Sequence, residues 1–273
     1  MTLGKGIGLL LLLFGLGVFM STEGYGEEEK EKVESGHIRL QVVFNNVPYK
    51  QGLETSWGFA CVIERPDATL LFDTGDNGDI LLSNMRHLGL DPDKVGAVVL
   101  SHFHWDHTGG LEAFLLRNPN VTVYMPASFP DEFQQAVASF GATVETVSGP
   151  RPLMDRTYST GEMGAAIPEQ ALVLDAKEGL VLITGCAHPG VADMAERAKT
   201  QFKKDLYLVM GGFHLRGLGE HEILAVIQRL QALGVQKVAP SHCTGEEAIR
   251  MFRDAWGENF VEGGLGADIT LGW

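Results

Sequence analysis

Apolar residues in this chain alternate between two spacings. Short runs rich in β-branched and aromatic residues read as strands: Ile38–Phe44, Thr55–Ile63, Thr69–Phe72, Val95–Leu100, Val121–Tyr124 and Thr143–Val147. Between them, helical spacing appears over Ile80–Leu88, Leu111–Arg117 and Pro130–Phe140. After an irregular, Gly- and Pro-rich middle (Ser148–Ile167, with a short strand at Thr157–Ser159), the pattern repeats. Leu172–Asp175 and Gly179–Thr184 form a hairpin, a helix starts near Val191, and Asp205–Met210 is a strand. Glu220–Leu233 is an amphipathic helix carrying Ile223, Leu224, Ile227 and Leu230 on one face. Val235–Ala239, a helix over Glu246–Trp256 and a closing strand in the tail complete the chain. Strands and helices thus alternate in two halves. This predicts an α/β fold, a four-layer αβ/βα sandwich of two mixed β-sheets flanked by helices, with a β/α barrel as the alternative.

The first residues do not fit that pattern. Ile7–Met20 is an uncharged, mostly apolar run behind Lys5, short for a membrane span and of the length of a signal-peptide core. Residues 1–22 are therefore expected to be a signal peptide or N-terminal membrane anchor, and the protein to be exported or membrane-anchored through them rather than cytoplasmic. Residues 23–35, with Glu27–Glu34, form an acidic linker, and the folded domain spans 36–273.

Composition narrows the partners. The formal net charge of -14, with no basic stripe, argues against nucleic acid and for a small-molecule substrate. Cys61, Cys186 and Cys243 are too few and too scattered for a disulfide framework.

The chemistry concentrates in Leu100–Gly110, LSHFHWDHTGG, which places His102, His104, Asp106 and His107 directly after a strand. Imidazole and carboxylate are ligands for zinc, and manganese and iron suit them too. Side chains two residues apart on an extended chain point the same way, so His102 and His104 can grip one ion. Asp106 and His107, beyond the bend, can address a second ion or a water. Three more histidines follow strands: His188 in TGCAHPG, His214 in GGFHL and His242 in PSHCTG. Asp73 also ends a strand, where it can orient a metal-ligating histidine or cap a turn. Cys186 either projects toward metal or packs. His214 binds metal or substrate, or plays a structural part. Arg216 can meet an anionic group, and Thr244 with Gly245 offers a hydroxyl and backbone donors at a helix start.

The HxHxDH cluster after a hydrophobic strand resembles the signature of the metallo-β-lactamase superfamily. Within it, the match from about His37 to His242 is closest to the branch of archaeal dihydropterin-ribofuranosylaminobenzene-phosphate synthases. The resemblance implies the same four-layer fold and two ions, expected to be zinc. It makes Asp73–Thr74–Gly75 the DTG segment beside the metals, and Pro168–Leu172 an acidic-Gln segment. It assigns His102, His104 and His188 to one ion, and Asp106, His107 and His242 to the other. Many members carry a late bridging aspartate in a Gly-Asp dipeptide. This chain has none at Gly211–His214.

These residues predict a metal-dependent hydrolase, with activated water attacking an ester, amide or phosphoester and Asp106 orienting it or taking its proton. The alternative is a synthase-like transferase using the same site.

Overall fold

The computed structural model describes residues 1–2 and 36–273. The apolar N-terminal run and the 23–35 linker lie outside the described residues.

The first sheet joins β1 (His37–Asn45), β2 (Phe59–Glu64), β3 (Thr69–Phe72), β4 (Val95–Val99), β5 (Thr122–Pro126), β6 (Thr143–Val147) and the last strand, β13 (Asp268–Gly272). Their order is β13-β1-β2-β3-β4-β5-β6. Pairing is antiparallel as far as β3 and parallel from β3 to β6. The second sheet holds β7 (Arg151–Met154), β8 (Thr157–Ser159), β9 (Leu172–Asp175), β10 (Leu180–Thr184), β11 (Leu206–Gly212) and β12 (Lys237–Ser241). Its order is β12-β11-β10-β9-β8-β7, with β10 to β12 parallel and the rest antiparallel.

Both faces of each sheet are covered, which is why the central strands read as unbroken apolar runs. The period of two still sorts their side chains. Cys61, Ile63, Phe72 and Val99 of the first sheet meet Leu174, Ile183, Leu208 and Met210 of the second in a shared inner core. Ala60, Val62, Leu71 and Val98 face outward, sharing a cluster with residues of α1 (Gly78–His87), α3 (Leu111–Arg117) and α4 (Asp131–Ser139). Val173, Leu182, Val209 and Val238 likewise cluster with α5 (Val191–Phe202), α6 (Glu220–Ala232) and α7 (Glu246–Trp256). Each fully buried Leu, Phe or Val contributes about 1.5–3 kcal/mol. The fold is the expected four-layer sandwich.

One local expectation needs correction. The second strand starts at Phe59, not Thr55. Gly58 breaks it with φ +143°, and a Cβ there would lie 2.3 Å from the Asp106 carbonyl oxygen. The irregular middle contains β7, an exposed strand at the end of its sheet that lacks apolar alternation and includes Pro152. Among the described residues, no helix is long and apolar enough to cross a membrane.

Candidate metal centre

Strand ends supply the site. β4 delivers Ser101 and His102, and His104 precedes α2 (Trp105–Thr108), a single turn that carries Asp106 and His107. From the other sheet, the loop after β10 brings Cys186 and His188, and β12 runs into His242.

The His102 ring centroid lies 4.6 Å from that of His104 and 4.6 Å from that of His188, and the latter two are 4.9 Å apart. Beside this group, Asp106 Oδ2 is 3.6 Å from His107 Nε2 and 3.3 Å from His242 Nε2. Cys186 Sγ is 3.2 Å from His107 Nε2 and 3.3 Å from His242 Nε2. The same sulfur also gathers with ligand atoms of His102 and His188, all within 4.8 Å of one another. Cys186 therefore stands where both groups meet.

Four imidazoles are held from behind through Nδ1. Its partner is Ser101 Oγ at 2.8 Å for His102, Asp73 Oδ2 at 2.7 Å for His107, Glu169 Oε2 at 2.9 Å for His188, and Asn46 Oδ1 at 2.7 Å for His242. With each Nδ1–H donating outward, every Nε2 turns its lone pair inward. His102 Nε2 and His104 Nδ1 then face each other at 3.1 Å. Bare lone pairs and a sulfur at these distances repel unless a proton or a cation lies between them. The donor set, imidazole nitrogen with one carboxylate and one thiol, fits zinc-type ions.

Two carboxylates organise these contacts. Asp73 accepts from the Ser101 backbone N–H and hydroxyl, both at 2.7 Å, as well as facing His107. Gly185 makes room for this network, since a Cβ there would meet Ser101 Oγ at 2.1 Å. Glu169 accepts the backbone N–H groups of Cys186, Ala187 and His188 at 2.8–2.9 Å. Sequence reasoning placed Glu169 in a segment without assigning it a task. Asn46 escaped it altogether, as no local pattern links it to a histidine 196 residues away. Four residues here hold left-handed backbone: Asp73, Ala187, His214 and His242, with φ of 55°, 59°, 53° and 52°.

Burial sets the charges. It pushes His102 and His107 down to about 3, aided by their histidine neighbours, and lowers His104. Burial pushes the Asp73 carboxyl up to about 8. Burial also opposes ionisation of Asp106 and Glu169. The hydrogen bond to His242 together with the charges of His107 and His242 outweighs it at Asp106, and the His102 charge with hydrogen bonds from His188 and the backbone outweighs it at Glu169. Both carboxyls end below their ordinary range. A hydrogen bond with Cys243 and burial both raise the Cys186 thiol.

The remaining candidates lie at the edge. His214 is exposed, its ring 4.4 Å from that of His188, and it groups with Cys186 and Cys243. Arg216 is exposed, its guanidinium carbon 5.1 Å from the Trp57 ring centroid. Thr244 departs from expectation. It is fully buried, and its hydroxyl donates to the Ser241 carbonyl at 2.6 Å while accepting from Phe213 N–H at 3.0 Å. No free hydroxyl is left for a ligand. Gly245 serves packing, since its missing Cβ is replaced by the Arg216 stem. Beside His104 an apolar groove of about 460 Å³ opens between Phe103, Trp105, Phe133 and Phe140.

Two mixed sheets that present histidine, carboxylate and thiol groups at converging strand ends define an α/β sandwich of the metal-binding class. The chain belongs to the metallo-β-lactamase superfamily, whose family model matches residues 58–242. It is 28% identical over 236 residues to the 7,8-dihydropterin-6-methyl-4-(β-D-ribofuranosyl)-aminobenzene-5'-phosphate synthase of Methanocaldococcus jannaschii, covering 70% of this chain and 80% of that one. An uncharacterized protein of the same organism is 26% identical over 263 residues, 85% of this chain and 100% of its own. The crystal structure of Tm1679, a metal-dependent hydrolase of the β-lactamase superfamily, superimposes with a TM-score of 0.75 at 26% identity, covering 86% of this chain and 100% of that one.

Proposed function

We propose that this protein is a metal-dependent hydrolase acting on an ester, amide or phosphoester of a small molecule. One observation carries the reading: two donor groups share Cys186, with four imidazoles turned inward by outward hydrogen bonds. His102, His104 and His188 would hold one ion, and Asp106, His107 and His242 the other, with Cys186 reaching both. Such ions, zinc first and manganese or iron as alternatives, supply Lewis acidity and lower the pKa of water toward neutrality. Asp106, ionised and only 6% exposed, would hold its ion and orient the attacking water. Asp73, Glu169, Ser101 and Asn46 keep the rings from rotating. The apolar groove beside His104 favours a substrate with a hydrophobic part.

The test pairs metal analysis of the purified protein with a panel of phosphodiester, lactone, thioester and β-lactam substrates. Turnover of one class, lost on chelation and restored by an added divalent ion, is the expected result. Turnover that survives complete metal removal would refute the reading.

A second reading is transferase chemistry like that of the M. jannaschii synthase. It is favoured by sequence similarity that extends over 80% of that enzyme. Formation of a condensed product from a pterin diphosphate and an arylamine riboside phosphate, with release of inorganic diphosphate and without net hydrolysis, would establish it instead. The apolar Ile7–Met20 run supports export of the domain or its anchoring at a membrane. Cell fractionation with N-terminal sequencing of the mature protein tests that point.

A further inference from the structure

Arg216 stands out at the mouth of the site. Among the described residues it has no carboxylate within ion-pair distance, although the chain carries a net charge of -14. Glu247, two residues beyond Gly245, pairs instead with Arg250 at 2.7 Å.

Its position is nonetheless built. The Arg216 backbone N–H donates to the Cys243 carbonyl at 3.2 Å. Gly245, at φ +86°, leaves the space that the Arg216 stem fills, since a Cβ there would lie 3.0 Å from the Arg216 Cα. The guanidinium lies against the half-buried Trp57 ring at 5.1 Å, a cation–π contact. Trp57 in turn packs on His242, with centroids 5.1 Å apart. Two steps of 5.1 Å therefore connect an exposed, unneutralised guanidinium to a histidine of the candidate metal centre. Stacking through the ring face leaves the planar N–H fork free for an anion.

We infer that Arg216, steadied on Trp57, is a specificity-determining residue that binds a second anionic group of the substrate. That group is a carboxylate or phosphate, separated from the bond under attack by a short linker. This rests on the metal-dependent reading above, in which the first anionic or carbonyl group sits over the histidines. The substrate class is thus a molecule with the reacting group at one end and a permanent negative charge at the other.

The experiment measures binding and does not need turnover. Linear dicarboxylates of four to eight carbons, succinate to suberate, are titrated calorimetrically into the metal-loaded protein beside the monocarboxylates of equal length. The wild type is expected to bind one member of the dicarboxylate series about tenfold to hundredfold more tightly than its monocarboxylate partner, as for one charge-assisted pair. Arg216→Ala removes that advantage without changing monocarboxylate affinity, and Arg216→Lys keeps part of it. Circular dichroism verifies that both variants are folded. No dicarboxylate advantage in the wild type, or an advantage that survives Arg216→Ala, overturns the assignment. If no panel substrate is hydrolysed while the Arg216-dependent advantage persists, the hydrolase reading falls and the anion subsite stands.

Discussion

Glu169→Gln is the most informative single substitution. The buried carboxylate accepts four hydrogen bonds. Oε1 takes Cys186 N–H at 2.9 Å and Ala187 N–H at 2.8 Å, and Oε2 takes His188 N–H and His188 Nδ1–H, both at 2.9 Å. Glutamine has one acceptor oxygen and one NH₂ group of the same size. In either orientation two N–H donors face a donor. His188 can relieve one clash by moving its proton to Nε2, but that proton then occupies the nitrogen meant for metal. A backbone N–H remains unpaired, which costs about 1–3 kcal/mol, and the lost charge-assisted bonds add about 1.5–3 kcal/mol. We expect about 3–5 kcal/mol of destabilisation, a large share of a typical 5–15 kcal/mol. Metal affinity at the His188 side should fall about 10- to 100-fold. Urea denaturation of the metal-free protein measures the first effect, and competition with a chromophoric chelator the second. A variant within about 0.5 kcal/mol of wild type, with unchanged metal affinity, would refute the role given to Glu169.

Three further expectations follow from the same geometry. In protein loaded with cobalt, a sulfur-to-metal charge-transfer band should appear and vanish in Cys186→Ser, with loss of up to one ion by elemental analysis; a band that persists removes Cys186 from the centre. Because burial holds the Asp73 carboxyl up to about 8, a cation bound at His107 favours the ionised Asp73 and so releases its proton at neutral pH. Apparent metal affinity should therefore rise with pH, by as much as about tenfold per unit below that value, and level off above it; a flat profile between about pH 6 and 8 would contradict this sign. Gly185→Ala puts a Cβ 2.1 Å from Ser101 Oγ, and the forced shift should cost about 1–3 kcal/mol in urea unfolding and weaken metal binding; wild-type behaviour in both would show that the Ser101–Asp73 network yields freely.

Much of the architecture was legible because strands buried on both faces leave unmistakable apolar runs, and because histidines recur where those runs stop. His102, His104, His107, His188 and His242 could be singled out on that ground, and the structure brings their rings together. What stayed hidden depends on contacts without a local signature. A lone cysteine beside a histidine reads equally well as filler, so the central place of Cys186 emerges only when both sheets are in position. Glu169 shows as an acid in a loop, and nothing nearby announces that it collects N–H groups 17 to 19 residues ahead. Thr244 misled for the opposite reason. A hydroxyl at a helix start looks available until the structure shows it consumed between Ser241 and Phe213.

The donors divide between two sheets that pack against each other largely through their side chains. His102, His104, Asp106 and His107 follow β4 of one, whereas Cys186, His188 and His242 follow β10 and β12 of the other. Neither half owns a complete set, so an ion that binds both is a rivet across the seam. Any slippage of one sheet over the other would be felt first as weakened retention of the ion, making metal release an early gauge of loosening in the shared core.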